Sequence, residues 1–591
     1  MIGGARADEI LETDVLIVGA EGAGARAAIE ANRHGARVIL LTKGSGIGKA
    51  GATVTAQVSN IAIDGWSIAE LLGMPGDRDD TWESFFEDIV TEGRYVNDQR
   101  QAEVLAQEAG LRAKELTDWG FRWTGAVSPG PGHRHARSCY GRPNTGPSML
   151  KVLGRVLKHD AGVWMVGDTL AVDLLTTDGR AVGLVGLDLQ TGRLRVFKAK
   201  AIILATGGAQ SVYPYFSGSH DLTGDGHAMA YRAGAELIDM QFVQLNPGAL
   251  LWPPGWNHVG HGPVPYLWGR HFGGAHLLNR RGERFLAKWD PARMENTTGD
   301  VLGMAIATEV AEGRGSKHGG VYLSLKHLPD NLLDCYAEWG YCRDWKSHAG
   351  FDYRPLIEQM KRGLAIEVGI YCHFFMGGIG VDEWGRTSVP GLYAAGECTG
   401  IVNGANRLSG VALTQVLVQG ARTGRAAAEY ARTAGLERVQ RDQIEAVEAR
   451  VLRPLLRKDG VEPLALRRAL QRVAYDRVGI LRDKEGLESA LREVQELQHS
   501  VTSLATKTKC REYNLEWVDA IQAMNSLQVL ELMALSSLHR TESRGAHCRR
   551  DYPAADDDKW LKNVIVTRGD GQPTLQDRPA LTTRLKPPVV G

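Results

Sequence analysis

The chain has no excess of charge of either sign: Lys+Arg and Asp+Glu each number 69 in 591 residues. Without a basic field there is no electrostatic footprint for nucleic acid or for an anionic membrane surface. Cysteine is scarce. The seven Cys (139, 335, 342, 372, 398, 510 and 548) are odd in number, and no pair has C-x-x-C spacing. That argues against a disulfide framework, a zinc site, or an iron–sulfur cluster held by this chain alone. No apolar run reaches about 18 residues, so no membrane-spanning helix is expected. Met1 to Thr13 is too polar for a secretory leader and strand-like residues follow at once, so a cytoplasmic protein is expected. A hydrophobic share of 43% and a charged share of 23% are those of an ordinary globular chain. The length implies two to four domains.

Glycine, by contrast, is plentiful at 71 residues. Gly-rich turns let backbone approach a phosphate or a ring closely, as cofactor-cradling α/β proteins require. The first such turn lies between two apolar strands, Asp14–Gly19 and Arg37–Thr42, and opens an Ala-rich helix that runs to Gly35. This is a β-α-β unit of about 30 residues, the size of a nucleotide-binding half. Gly19-Ala-Glu21-Gly22-Ala23-Gly24 offers the tight turn and helix N-terminus that a pyrophosphate needs, although Glu21 stands where a middle Gly is expected. Thr42-Lys43 occupies the place where an NAD site would put an acidic residue on the ribose. With Gly46 to Gly51 following, it suits a longer phosphate-bearing cofactor.

Further along, residues 82–120 read as amphipathic helix. Gly162 to Lys198 alternates like a small antiparallel sheet, and Ala201–Leu204 is a buried strand running into Thr206-Gly207-Gly208. Six of the fourteen Trp fall between residues 245 and 345, a composition shift that points to an inserted domain. Residues 430–540 have helical periodicity, and the charged, Pro-containing tail from Asp556 is expected to wrap the surface. The expected division is 1–244 and 366–430 for a cofactor domain, 245–365 for the insertion, and 431–591 for a helical domain and tail.

Several ordered segments then fix a resemblance: Ala205-Thr206-Gly207-Gly208, Thr223-Gly224-Asp225-Gly226, Phe242-Val243-Gln244, His373-Phe-Phe-Met376-Gly377-Gly378, Gly391 to Glu397, Gly404-Ala-Asn-Arg407-Leu408, and Arg540 to His547. Together with the Gly turn, and along nearly the whole chain, they resemble the fumarate reductase/succinate dehydrogenase flavoprotein family, which includes L-aspartate oxidase. The resemblance implies an α/β fold. A Rossmann-like FAD-binding domain carries an inserted α+β capping domain and is followed by a C-terminal helical domain.

It also implies FAD contacts at Gly19, Gly22, Ala23 and Gly24; at Thr42, Lys43, Gly51, Ala52, Thr53 and Gln57; and at Ala171, Thr206 and Gly207. Asp225 would help hold the flavin, and Glu397 would accept from the ribityl or ribose hydroxyls. His373 and Arg407 would lie against both flavin and substrate. Val411, Ala412 and Leu413 would open a helix whose positive N-terminus faces the isoalloxazine ring and favours the reduced, anionic flavin. Many members attach FAD through a His in the loop after the second strand. Ala52 stands at that position and has no nucleophilic nitrogen, so noncovalent FAD is expected.

In members that reduce fumarate, hydride passes between flavin N5 and a carbon of a C=C bond beside a carboxylate, and a proton goes to the neighbouring carbon. Arg suits the carboxylate by its fork and permanent charge, and His373 and Arg407 match two of the donors. Other pieces depart from the pattern. Asn246-Pro247 replaces a His-Pro, and Tyr266-Leu267 falls where a Thr-Glu pair is usual. Gly299, before Asp300, stands in place of the proton-donating Arg, for which Arg293 or Arg270 could substitute. With Trp252, Trp256, Tyr266 and Trp268 nearby, these departures predict a larger, less polar substrate with at least one carboxylate. His258-x-x-His261, with His271 and His276, lies in a loop without Cys or acidic partners, so no metal site is expected. The C-terminal region resembles complex-forming members, in which an iron–sulfur subunit exchanges electrons with FAD. Two readings follow: an FAD enzyme acting on a C–C bond next to a carboxylate, or an FAD-bearing electron-transfer or assembly subunit with a degenerate substrate site.

Overall fold

A computed structural model describes residues 10–56, 59–159, 162–253, 275–297, 299–342, 354–364 and 366–588. The β-α-β unit forms as its apolar periodicity dictates. Strands Ile10–Val18 and Val38–Leu41 pair in parallel and flank the helix Gly22–Arg33. Their residues Val15, Leu16, Ile17, Leu40 and Leu41 are fully buried, as a strand covered on both faces requires. Leu194–Leu204 lies on the other side of Ile10–Val18, also parallel, and Leu392–Ala394 returns to pair with its end.

The stretch expected to form a small sheet of its own does not stand apart. Val163–Val166 pairs in parallel with Val38–Leu41. Thr169–Thr177 and Arg180–Asp188 continue the main sheet as antiparallel strands from Leu194–Leu204. Alternation along a strand reports its two faces, whereas the edge it joins is set by tertiary packing.

The described residues between 243 and 375 build a second layer. Strands Val243–Trp252, Ile366–Phe375, Val321–Ser324 and His276–Leu278 form an antiparallel four-stranded sheet. Its core joins Leu277, Val321, Leu323, Ile366 and Val368 to Leu302, Ala305 and Ile306 of the helix Gly299–Ala311. This is the inserted α+β capping domain. Its two long strands run into the cofactor domain, so side chains near their ends face the space between.

The C-terminal helices Arg441–Leu456, Pro463–Arg477, Lys484–Val501 and Leu515–His539 pack as the periodicity predicts. The last reaches the cofactor domain: Asn525 Nδ2 donates to Asp225 Oδ1 at 2.8 Å, and Ser526 Oγ to Thr223 O at 2.9 Å. The tail departs from expectation. Lys562–Arg568 and Pro573–Pro579 form a hairpin whose first strand pairs with Leu237–Ile238, burying Val564, Ile565 and Val566. A short β-branched run followed by a Gly-rich turn outweighs the charge around it. Beyond the hairpin the chain runs past the helix Gln99–Asp118, where Gln99 Oε1 accepts from the backbone N–H groups of Thr583, Arg584 and Leu585. Among the described residues no helix is long and apolar enough to cross a membrane.

Candidate active site

A cavity of about 390 Å³ lies where the sheet's Gly-rich strand ends meet the capping domain, a volume usual for small-molecule sites. Its walls include Gly19, Gly22, Ala23, Thr42, Lys43, Gly51, Ala52, Thr53, Ala171, Thr206, Gly207, Asp225, His373, Glu397, Arg407, Ala412 and Leu413. Two of the expected contacts among the described residues do not reach it. Gly24 serves packing instead: a Cβ there would sit 1.7 Å from Gly19 O. Val411 is fully buried in the first turn of its helix and turns away from the cavity that Ala412 and Leu413 line. Gln57 lies outside the described residues.

At one end of the cavity, Glu21 fills the place of the expected Gly. Its Oε1 accepts from Gly48 N at 2.9 Å, tying the Gly19–Gly24 turn to the Gly-rich loop. Burial pushes its carboxyl up to about 7 despite backbone hydrogen bonds from Gly48, Ala50 and Val54. Gly51 makes room for it, since a Cβ at that position would meet Glu21 Cγ at 2.7 Å. Lys43 Nζ pairs with Asp225 Oδ2 at 3.1 Å. Burial opposes the charge on Asp225, but Lys43, Asn525 and Thr223 hold its carboxyl below the usual range.

Glu397 sits on the turn Gly396–Cys398 and accepts from Phe375 N at 3.1 Å and from Gln210 Nε2. Burial pushes its carboxyl up to about 7. Gln210 escaped the sequence reading, because a lone Gln after Gly-Gly-Ala belongs to no motif. It is 1% exposed, lines the cavity, and its Oε1 has no hydrogen-bond partner among the described residues. A buried acceptor left open beside the Glu397 carboxyl calls for a ligand that donates hydrogen bonds. The polyhydroxyl chain of FAD answers that demand.

At the capping-domain end, His373 Nδ1 lies 2.7 Å from Ser217 Oγ. Burial, reinforced by Arg407, pushes its imidazole down to about 3, so the ring is neutral at neutral pH. Arg407 Nε donates to Gln244 Oε1 at 3.2 Å, and its guanidinium lies over the Phe374 ring, 4.7 Å from the centroid. Burial pulls it down to about 10, with Glu397, Tyr371 and Glu92 acting the other way. It therefore keeps its charge near neutrality and offers a carboxylate a fixed cationic fork.

The remaining candidates do not join this group. Arg293 is corrected: its side chain is 64% exposed and paired with Asp290 at 3.0 Å, away from the cavity. A short turn, Met294–Asn296, separates it from the helix start and directs it outward. Asn246 is half-buried, opposite Tyr371 in the sheet register, and does not itself line the cavity. Gly299 begins its helix with no atom of the described residues within 4 Å of where a Cβ would lie. Tyr266 and Arg270 lie outside the described residues, as do Trp256, His258, His261, Trp268 and His271. His276 stacks on His327 with centroids 3.7 Å apart. Among the described residues no cluster of His, Cys, Asp and Glu could hold a metal.

Comparison with known proteins agrees with this geometry. A family model described as an FAD binding domain matches residues 14–413, and one described as fumarate reductase flavoprotein C-term matches 467–590. The chain is 35% identical to a subunit of the fumarate reductase (CoM/CoB) of Methanothermobacter marburgensis, covering 95% of this chain and 98% of that one. It is 33% identical to the fumarate reductase flavoprotein subunit of Mycobacterium tuberculosis, over 97% and 98% of the two chains. Among solved structures, Mycobacterium smegmatis Sdh1 in complex with UQ1 superposes with a TM-score of 0.85 at 33% identity, covering 98% and 96%. A point mutant of E. coli quinol fumarate reductase FrdA superposes with 0.84 at 28%, covering 98% of each chain.

Proposed function

Because the chain belongs to the fumarate reductase/succinate dehydrogenase flavoprotein family, and is an FAD-dependent oxidoreductase acting on CH–CH groups, we propose that it works on a carboxylate substrate other than fumarate. Bound FAD supplies hydride exchange at N5 with a C=C or C–C bond next to that carboxylate. Arg407 and neutral His373 bind the carboxylate and fix its orientation, and Gln210 and Glu397 hold the cofactor's hydroxyls. The single observation that carries the choice of substrate is Gly299, which brings no side chain to the position where fumarate-reducing members are expected to place the proton-donating Arg. The aromatic wall of Tyr371 and Phe374 favours a substrate with at least one carboxylate and an apolar substituent: a 2-enoate, an arylacrylate or a substituted succinate. Electrons pass to or from an iron–sulfur partner subunit, a reading supported by the family resemblance of the C-terminal region and by the absence of a cluster motif in this chain.

Stopped-flow reoxidation of the dithionite-reduced protein by a panel of enoates tests this. Monocarboxylate enoates should reoxidise the flavin at least about tenfold faster than fumarate, whose second carboxylate meets no unpaired cation among the described cavity residues, one missing charged donor costing about 10²–10³-fold. Equal or faster turnover of fumarate overturns the substrate assignment. Failure with every acceptor, natural partner present, favours an electron-transfer or assembly subunit instead. The attachment has its own check. With Ala52 in the cavity wall where a tethering His would stand, acid precipitation should release all the yellow cofactor into the supernatant. Flavin that stays with the pellet excludes noncovalent binding.

A further inference from the structure

With no side chain at Gly299 and Arg293 on the surface, the described residues need another source for the proton that accompanies hydride transfer. Tyr371 lies in the strand Ile366–Phe375, two residues before His373, so both side chains leave the same face of the sheet. It lines the cavity, and its ring meets the His373 ring edge-on, with centroids 5.9 Å apart. Across the sheet it is paired directly with Asn246, which places their Cβ atoms about 5 Å apart. Packing against Ala249, Leu251 and Tyr215 leaves the Tyr371 ring 7% exposed, so it is held in place before any substrate arrives.

Its phenol is also close enough to the Arg407 guanidinium to interact with it electrostatically, and a neighbouring cation stabilises a phenolate. The described ionisable groups nearest Tyr371 at this end of the cavity are His373, Arg407 and Glu397. His373 is neutral and bonded to Ser217. Arg407 is held by Gln244 for the carboxylate. Glu397 is fixed by Phe375 N and Gln210 on the cofactor side.

We propose that Tyr371 is the general acid of this site, delivering the proton to the substrate carbon next to the one that takes hydride. The proposal rests on the enoate reaction given above. In that reaction the substrate β-carbon accepts hydride from reduced FAD, which is thereby oxidised, and the π pair moves to the α-carbon. The Tyr371 O–H bond breaks as the new Cα–H bond forms, and solvent reprotonates the phenolate. The enoate is reduced by two electrons and two hydrogens, and charge balances.

Tyr371→Phe in the FAD-loaded chain tests the assignment. Reoxidation by the best enoate should slow about 10²–10⁴-fold, the range of general acid catalysis. Reoxidation by ferricyanide, which needs no carbon protonation, should be unchanged. The Kd of the saturated product, read from the flavin absorbance shift, should stay within about threefold of wild type. An enoate rate within about threefold of wild type overturns the proposal, as does a product Kd that weakens in proportion to the rate, which would make Tyr371 a packing residue. If the wild-type chain itself reacts with no enoate, the enoate reading falls and the assignment with it; if only the variant keeps its rate, the assignment alone falls.

Discussion

Arg407→Leu should lower kcat/KM about 10³-fold for whichever enoate the chain reduces, while FAD content stays at the wild-type level. The guanidinium is the one described cation at the capping-domain end of the cavity, the other cavity-lining cation, Lys43, being paired with Asp225 at the cofactor end. It reaches the cavity already oriented, with Nε donating to Gln244 and its plane over Phe374. A carboxylate that loses this fork loses a charge-assisted pair in a low-dielectric site, and about 4 kcal/mol of transition-state stabilisation is the expected scale. Arg407→Lys should recover less than about tenfold of the loss, because an ammonium cannot bond two oxygens in the plane of the fork. The ratio of kcat/KM values between wild type and variants, measured with FAD occupancy checked by absorbance, decides the matter. A leucine variant within about fivefold of wild type would remove Arg407 from substrate binding.

Much of this site was legible in the sequence because close approach to a cofactor leaves local marks. The Gly turn, Glu397 after a strand and Gly, His373 before Gly-Gly, and Arg407 after an Asn all reach the same cavity from segments nearly 400 residues apart. The features that escaped depend on tertiary neighbours. Gln210 carries no motif, and its meaning comes from Glu397, 187 residues away. Tyr371 is one aromatic residue among apolar ones until the sheet register sets it opposite Asn246 and beside His373. Arg293 lies six residues before Gly299, close along the chain, yet the intervening turn sends it to the surface. Gly162 to Lys198 showed its alternation correctly and its sheet incorrectly, since nothing along a strand names the edge it will extend. The residues of the capping domain with the greatest weight in the sequence reading, Tyr266 and its neighbours, fall in 254–274, outside the described residues.

Glu21→Gln and Glu397→Gln should each stabilise the FAD-free protein relative to wild type at pH 8, and the gain should vanish at pH 4. Both carboxyls lie in the cavity wall, and burial raises both from an ordinary 4.5 to about 7. A raised folded pKa means that the folded state binds the proton more tightly than the unfolded chain. The contribution is therefore fully present below about 4.5 and is lost as pH rises through about 7. At 1.36 kcal/mol per unit, each group shifts stability by about 3 kcal/mol across that window, an order-of-magnitude figure. For a chain of this length that amounts to roughly 2–3 °C per group in Tm. Other carboxylates here, Asp88 and Asp225 among them, are held below the usual range and push the whole-protein profile the opposite way. The quantity to measure is thus the difference between variant and wild type by thermal unfolding at pH 4, 6 and 8, in which those groups cancel. Bound FAD separates the two residues. Hydroxyl donors stabilise an ionised Glu397 and should erase its pH-dependent difference, whereas Glu21, beside a pyrophosphate anion, should show a larger one. A Glu21→Gln difference that shrinks when FAD binds would place the pyrophosphate away from the Gly19–Gly24 turn.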